Sequence, residues 1–353
     1  MRIRLSSAVF VAFTLATLPA FGQQLPRTGE EPLPIERAYK HLETNVILPR
    51  NIADAEINTF KDYGSPELGV SLRYWSEIGE RTDAYIYHLG IENLVDDEEH
   101  TKIHGQIELA FEEIQLIEKE YKIYADVKPS SKVIERTYKL GPDSITVISL
   151  PVNFTVPDNP NSSIEPGPKD SFIAVAIFRG YFFKLRRTVP ADPENPKANQ
   201  EAVEEFIDEW AKLIVETPQR EDIRQQAQAF LAAPFSKKNL GAPAKILNYV
   251  TESELVSVSI TPHSMPWLTV DDYPGGESLL AAFLAGNIES QFERLLFEDH
   301  AYAGTLAALE LYQDLKARQG APPIEKMEKF LKLEAEGKLE QLLKPKEEPE
   351  EAE

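Results

Sequence analysis

The sequence predicts an α+β fold: a mostly antiparallel sheet covered by two amphipathic helices and followed by a small C-terminal helical region. Apolar residues alternate with polar ones in several short stretches, which is the period of a strand. They recur every three or four residues in two longer stretches, which is the period of a helix. From residue 277 onward only the helical period remains. Strands that are not separated one by one by helices favour an antiparallel sheet.

The predicted strands come in pairs joined by short turns. Residues 69–75 and 82–89 alternate with period two, and the short polar link between them favours an antiparallel hairpin. Two further pairs follow, and each is joined by a turn that contains glycine. The strands of these pairs are 132–140 with 144–156, and 172–178 with 181–189.

Two amphipathic helices are predicted to cover the sheet. The first lies within residues 100–124, where Ile103, Ile107 and Ile114 share one side. The second follows Asn199, which we expect to be its N-cap, and extends to Glu216. The sequence is compatible with both helices on one face of the sheet and with one helix on each face.

Changes in composition and period divide the chain into six predicted segments. The first three are a signal peptide at 1–22, a polar leader at 23–60 with a short helix at 35–44, and the sheet domain at 61–218. The last three are a mixed connecting segment at 219–275 with a helix at 220–233 and a strand at 254–261, a helical hairpin or bundle at 276–343, and a disordered acidic tail at 344–353.

The first residues have the pattern of an export signal. Arg2 and Arg4 precede an apolar stretch from Ala8 to Leu18, and Ala20-Phe21-Gly22 offers small residues for cleavage. This stretch is too short for a stable membrane anchor, although an uncleaved anchor is the alternative. We therefore expect a periplasmic or secreted protein, cleaved near Gly22, with no membrane span in the mature chain.

Composition excludes several classes of function. The 353 residues contain no cysteine, which excludes disulfides, thiolate zinc sites, iron–sulfur clusters and cysteine nucleophiles. The formal net charge of −21 argues against nucleic acid and anionic membranes as partners, because both would repel the chain. The sequence has neither a nucleophile-elbow serine motif nor a glycine-rich phosphate loop, so we predict no catalytic residue and no cofactor.

One candidate site is a metal centre near the start of the first helix. His100, His104 and Glu108 are spaced four residues apart, so their side chains project on one side of a helix and could share a divalent ion. Two imidazoles and a carboxylate suit zinc, and this set predicts a metal-assisted hydrolase. The alternative is that the three residues form a solvated polar flank of the helix.

A second candidate site is a basic and aromatic face of the sheet. Lys184 and Arg186 share one face of the strand at 181–189, where they locally reverse the acidic charge of the chain. We expect this face to be exposed and to bind a ligand together with Tyr85 and Tyr87. The alternatives are that the two cations pair with acidic residues of the helices, and that the tyrosines belong to the core.

Several short motifs resemble those of an uncharacterised family of exported bacterial proteins. They are Leu68-Gly69 with Tyr74, the run Asp83–Gly90, the hairpin around Arg179-Gly180 with Lys184–Thr188, and Leu284–Asn287. The resemblance spans most of residues 60–320. It implies a bacterial origin and an exported α+β domain, and it implies no activity, cofactor or catalytic residue.

These features together predict an exported, soluble, non-catalytic binding or scaffold module of the cell envelope, with an unidentified protein or small molecule as its partner. The lack of a reactive motif in the sequence favours this interpretation. Two alternatives stay open. One is a metal-assisted hydrolase that uses His100 and His104, and the other is a small-molecule binder on the aromatic and basic sheet face.

Overall fold

A computed structural model describes residues 33–34, 36–76, 80–158, 165–192, 194–253 and 255–344. The predicted signal peptide and almost all of the predicted acidic tail lie outside these ranges. Contacts between residues divide the chain into two compact units, Met1–Glu216 and Thr217–Glu353. The first unit contains a large antiparallel sheet and the second is helical, so the predicted α+β class is confirmed.

The strands of the first unit, in the described ranges, all pair in the antiparallel sense. They are β1 (Leu33–Pro34), β2 (Tyr39–Lys40), β3 (Ile47–Leu48), β4 (Asn51–Ile52), β5 (Ala55–Asp62), β6 (Val70–Ser76), β7 (Arg81–Tyr87), β8 (Ala125–Pro129), β9 (Ile134–Leu140), β10 (Asp143–Val156), β11 (Gly167–Phe178) and β12 (Tyr181–Pro190). The main sheet has the order β1–β5–β6–β7–β12–β11–β10–β8, and β2 pairs only with β3. The predicted hairpins β6–β7, β9–β10 and β11–β12 are therefore confirmed.

Two strands lie end to end at each described edge of the main sheet. The long strand β10 pairs with β9 over residues 143–149 and with β8 over residues 152–155. In the same way β4 and β1 pair with successive parts of β5. The central strands β6, β7, β12 and β11 are paired on both sides.

The two predicted helices cover opposite faces of the sheet. Helix α1 (Thr101–Leu116, continued by a π-helical turn to Tyr121) packs its isoleucines on a core that includes Val175 and Phe182. Helix α2 (Pro196–Val215) packs on the other face, where Phe206 meets Tyr74 with 5.9 Å between ring centroids. Because both faces are covered, β10 and β11 are buried continuously over residues 145–152 and 171–177 rather than at alternate positions.

The predicted polar leader is wrong for its second half. Strands β4 and β5 lie within residues 51–62 and belong to the main sheet, with β5 paired along the length of β6. In β5, Ala55 and Ile57 are buried while Glu56 is exposed, which is the alternation of a strand with one face on the core. The short helix predicted at 35–44 is also absent from the described residues, where β2 pairs with β3.

The start of helix α2 differs from the prediction by one turn. Asn195 is the N-cap, and its side-chain oxygen accepts a hydrogen bond from the backbone N–H of Ala198 at 3.4 Å. Pro196 occupies the first turn, where a missing N–H costs no hydrogen bond. Asn199, the predicted cap, lies inside the helix and donates its side-chain amide to Asp170 and to the carbonyl of Pro190.

The second unit is helical from its first residue. Its helices are α3 (Thr217–Ala232), α4 (Ala242–Glu252), α5 (Gly276–Arg294), α6 (Ala301–Gln319), α7 (Glu325–Ala335) and α8 (Leu339–Leu343). The segment 219–275, predicted as a mixed connection, therefore belongs to this unit. The strand predicted at 254–261 is wrong, because residues 255–261 have no regular secondary structure.

Helices α5 and α6 pack closely through two glycines. A Cβ on Gly286 would lie 2.6 Å from the Cβ of Ala307, and one on Gly304 would lie 2.7 Å from the carbonyl oxygen of Phe283. Glycine is therefore required at both positions for this helix spacing. Among the described helices of the chain, none is both long and apolar enough to cross a membrane.

Candidate functional site

Four charged side chains gather on the sheet face that α1 partly covers. We call Arg73, Arg81, Asp83 and Arg186 the arginine cluster. Strand pairing brings them together, since Asp83 of β7 lies opposite Arg73 of β6 on one side and opposite Arg186 of β12 on the other. Residues paired across antiparallel strands point to the same face, with Cβ atoms about 5 Å apart. Two guanidinium groups thus bind one carboxylate, and a third arginine, Arg186, lies on the neighbouring strand.

Asp83 holds two of these arginines in place. Its carboxylate is buried and accepts hydrogen bonds from Nε of Arg73 at 2.8 Å and from Nε of Arg81 at 2.8 Å. Nη2 of Arg81 adds a contact of 2.7 Å. Burial alone would raise the pKa of Asp83, but Arg81 and Arg73 outweigh it and hold the pKa below its usual value. The carboxylate therefore stays ionised and fixes the direction of both guanidinium groups.

Arg186 differs from the other two arginines because it has no carboxylate of its own. Its guanidinium donates a hydrogen bond to the hydroxyl of Tyr124 at 3.3 Å and lies over the rings of Tyr124 and Phe154, 5.4 and 5.9 Å from their centroids. Its Nε atom is buried and has no hydrogen-bond partner among the described residues. No carboxylate of the described part of the chain forms an ion pair with it. Arg186 therefore retains hydrogen-bonding capacity that an anion could use.

Lys184 is buried, contrary to the prediction that it is exposed. It lies beneath α1, where Nζ is 3.7 Å from a carboxylate oxygen of Glu113 and 4.9 Å from the ring centroid of Tyr85. Burial lowers the pKa of Lys184, and the negative charge of Glu113 opposes this shift. The cation is thus paired with an acidic residue of α1, which is one of the alternatives that the sequence left open.

Tyr85 and Tyr87 are core residues on the same face. Both are buried, and burial raises the pKa of each hydroxyl well above its ordinary value. The hydroxyl of Tyr87 donates a hydrogen bond to Gln106 of α1 at 2.9 Å. A ligand could reach these tyrosines only if α1 moved. Of the four residues predicted to bind a ligand, Arg186 is the one that is not buried.

Beyond the edge of α1, the same sheet face carries half-buried polar and aromatic residues. Lys61 lies over the ring of Tyr63, 4.9 Å from its centroid, and the Tyr63 and Ser71 hydroxyls are 3.1 Å apart. Burial raises the pKa of Tyr63 to about 12. Trp75 lies opposite Arg81 in the register of β6 and β7. The sequence predicted a strand for Ser71 and Trp75 but none for Lys61 and Tyr63, and it gave no sign that these residues adjoin the arginines.

The three predicted metal ligands lie on successive turns at the start of α1, where His100 has acidic neighbours of its own. His100 uses one ring nitrogen for Asp96, at 2.8 Å, and the other lies 3.4 Å from Glu135. His104 is half-buried and Glu108 is exposed on the following turns of α1. Across the described ranges, no three histidine, aspartate or glutamate side chains gather closely enough to hold a metal ion. The role of His100, His104 and Glu108 as metal ligands stays a prediction.

Arg187 lies on the opposite face of the sheet from Arg186. It is fully buried and forms ion pairs with Glu80 and with Asp54, the latter at 2.8 Å. Burial raises the pKa of Glu80, Arg187 opposes this shift, and the neighbouring carboxylate of Asp54 adds to it. Because Asp54 lies in the turn between β4 and β5, this ion pair fastens that turn to the sheet.

The helical unit contains a serine–histidine contact that the sequence did not reveal. The hydroxyl of Ser290 on α5 is 2.5 Å from Nδ1 of His300, which precedes α6. Buried Asn287 accepts a hydrogen bond from the backbone N–H of His300 at 3.1 Å and fixes the same turn. In the described residues no carboxylate bonds to the other ring nitrogen, so the pair lacks the group that orients a catalytic base. We interpret it as a link between the two helices.

Comparison with known proteins adds no assignment. No known family model matches the chain, and no curated protein matches it either. The resemblance to an exported bacterial family, which depends on short motifs, stays a prediction. The functional argument therefore depends on the arginine cluster and its surroundings.

Proposed function

We propose that this protein is a binding module whose α+β unit holds an anionic ligand at the arginine cluster. Arg186 carries the proposal: it is a partly buried cation with an unbonded Nε and, among the described residues, no carboxylate partner. It stands beside two arginines that share a single carboxylate. The cluster thus has three positive charges against one negative charge.

Arginine suits this role because its guanidinium is planar and always charged. Its parallel N–H groups match the oxygen spacing of carboxylates and phosphates. Arg73 contacts Asp83 through Nε, and Arg81 contacts it through both Nε and Nη2, which leaves the remaining N–H groups of the two arginines for other acceptors. An anion at this place would complete the hydrogen bonds that Asp83 alone does not fill.

Asp83 is a positioning residue in this proposal. Binding costs less conformational entropy when the protein groups that contact the ligand are already fixed. Asp83 fixes the side chains of Arg73 and Arg81, and the Tyr124 ring fixes that of Arg186. The overall acidic charge of the protein does not prevent binding, because salt screens charges beyond about 8–10 Å while contacts within the cluster are direct.

We further propose that binding takes place outside the cytoplasm, in the periplasm or in a secreted form. The support is the N-terminal pattern of Arg2, Arg4 and the apolar stretch from Ala8 to Leu18. The helical unit then serves as an accessory or scaffold element. Fractionation of expressing cells, followed by N-terminal sequencing of the mature protein, tests this part. A full-length protein in the cytoplasmic fraction would contradict it.

The binding proposal is tested by replacing Arg186. Calorimetric titration with citrate and with inorganic phosphate should show binding by the wild-type protein. Arg186→Gln should weaken it by at least about tenfold, the effect of losing one charge-assisted hydrogen bond. The control is Arg318→Gln, because Arg318 is an exposed arginine of the helical unit that pairs with Asp314. Equal affinities for wild type and Arg186→Gln, in folded proteins, would contradict the proposal.

A further inference from the structure

We infer that the ligand of the arginine cluster carries a flat aromatic group next to its anionic group. This inference rests on the proposed function and names the class of ligand. The observation behind it is the position of Trp75. This residue lies on β6, two positions after Arg73, and opposite Arg81 in the register of β7.

Trp75 differs from the other tryptophans of the chain in its exposure. Trp210 and Trp267 are 1% and 2% exposed and belong to the cores of their units. Trp75 is half-buried on the face that carries the arginines. In the described part of the chain its indole has neither an aromatic ring partner nor a hydrogen bond. A large apolar ring is thus left partly open beside Arg73 and Arg81, with the exposed Glu56 of β5 opposite it on its other side.

Strand geometry sets the size of the ligand. Residues two apart on a strand are separated by about 6.6 Å, and residues opposite one another have Cβ atoms about 5 Å apart. An anionic group joined directly to a ring therefore spans the distance from Arg73 and Arg81 to the indole, while Arg186 lies on β12, one strand beyond Asp83. The indole can stack on the flat face of that ring, and a neighbouring guanidinium can add a cation–π contact.

Aromatic stacking distinguishes this ligand from other organic anions. A saturated ring has similar apolar area but lacks a flat π face, so it gains less from the indole and from the guanidinium groups. A bare anion gains nothing from Trp75. Affinity should therefore increase from bare anion to saturated ring to aromatic ring.

The experiment compares phenyl phosphate, cyclohexyl phosphate and inorganic phosphate with the mature full-length protein. Binding is measured by calorimetry and by tryptophan fluorescence, for which Trp75 is the half-buried reporter. Phenyl phosphate should bind about tenfold more tightly than inorganic phosphate, the effect of one stacking contact. Trp75→Leu should remove this preference. The control is Phe235→Leu, an exposed aromatic residue of the helical unit, which should retain it.

Each other outcome has a distinct meaning. Equal binding of all three phosphates would overturn the aromatic inference while the proposed function stands. Equal binding of the phenyl and cyclohexyl compounds, both tighter than inorganic phosphate, would overturn the stacking contact, because any apolar group would then serve. Loss of the preference in both variants would show that Trp75 is not its source. If no phosphate and no citrate binds the folded wild type, both proposals fail.

Discussion

Arg186 and Arg187 are adjacent in β12, yet their guanidinium groups lie on opposite faces of the sheet and in opposite electrostatic conditions. Arg187 lies over the ring of Phe206 and is neutralised by Glu80 and Asp54. Arg186 lies over the ring of Tyr124 and, among the described residues, has no carboxylate. Arg187 therefore forms ion pairs within the fold, whereas Arg186 is the arginine that the proposed ligand would contact.

Removing Arg187 should destabilise the first unit strongly. Arg187→Met leaves the buried carboxylate of Glu80 without its cation, and losing one partner of a buried ion pair costs about 3 kcal/mol. Urea denaturation measures the free energy of unfolding. Arg50→Met breaks an exposed pair and should change it by less than about 1 kcal/mol. Similar small effects for both variants would show that the Arg187 pair contributes little.

Asp83 should contribute stability that depends on pH. Its pKa is lowered in the folded protein, so its ionised form stabilises the fold above the unfolded pKa of about 3.9. This contribution is lost as pH falls through the lower, folded pKa. The urea midpoint of Asp83→Asn should therefore lie below that of wild type near neutral pH. The gap should close below about pH 4. A gap independent of pH would contradict the lowered pKa.

The buried pair of Lys184 and Glu113 should be replaceable by apolar residues. Glu113→Leu removes the carboxylate that faces Lys184 and should cost about 3 kcal/mol. The double variant Lys184→Met with Glu113→Leu removes both charges and keeps similar volume, so it should recover most of this loss. Chemical denaturation of Glu113→Leu, of Lys184→Met and of the double variant measures the coupling free energy between the two residues. A double variant no more stable than Glu113→Leu would be the contrary result.

Glycine-to-alanine changes should have opposite effects in two helices. Gly286→Ala places a Cβ 2.7 Å from the carbonyl oxygen of Ala303 on α6, and overpacking of this kind costs about 1–3 kcal/mol. Gly105→Ala in α1 meets nothing within 4 Å and should gain up to about 1 kcal/mol of helix propensity. Thermal unfolding of both variants tests the difference. A stabilised Gly286→Ala protein would contradict the close packing of α5 and α6.

The alternation of apolar and polar residues predicted the central strands well. It failed where an irregular strand pairing interrupts that alternation. In β5 the register with β6 shifts between Ile57 and Thr59, which is a bulge. The bulge turns Phe60 to the face where strict alternation would place Thr59. The sequence of this segment therefore lacks the period of two, and the segment is predicted as part of the leader. The opposite error concerns the strand predicted at 254–261. Apolar and polar residues alternate there, but in the described structure no strand pairs with residues 255–261. There the side chain of Gln291 bonds the backbone N–H and C=O of Ser257.

The candidate site was predictable only in part. Period two correctly placed Lys184 and Arg186 on one face of β12. Whether Lys184 or Arg186 is covered depends on where α1 ends. This is a property of long-range packing, which the sequence of β12 does not encode. The roles of Asp83 and Arg73 were missed because the two residues meet only through the register of β6 and β7. The available signal was that each of these charged residues stands on a predicted strand two positions before an aromatic residue, Trp75 or Tyr85.

The end-to-end strands at the two edges of the main sheet have a consequence for self-association. An open, continuous edge strand is a template for pairing with another molecule, and amyloid-like growth begins from such edges. Here β8 and β9 divide one described edge into strands of 5 and 7 residues, and β9 carries Glu135, Arg136 and Lys139. At the other described edge, β1 and β4 span 2 residues each. A second copy thus finds only short, charged or interrupted segments, which protects a large sheet from edge-to-edge aggregation.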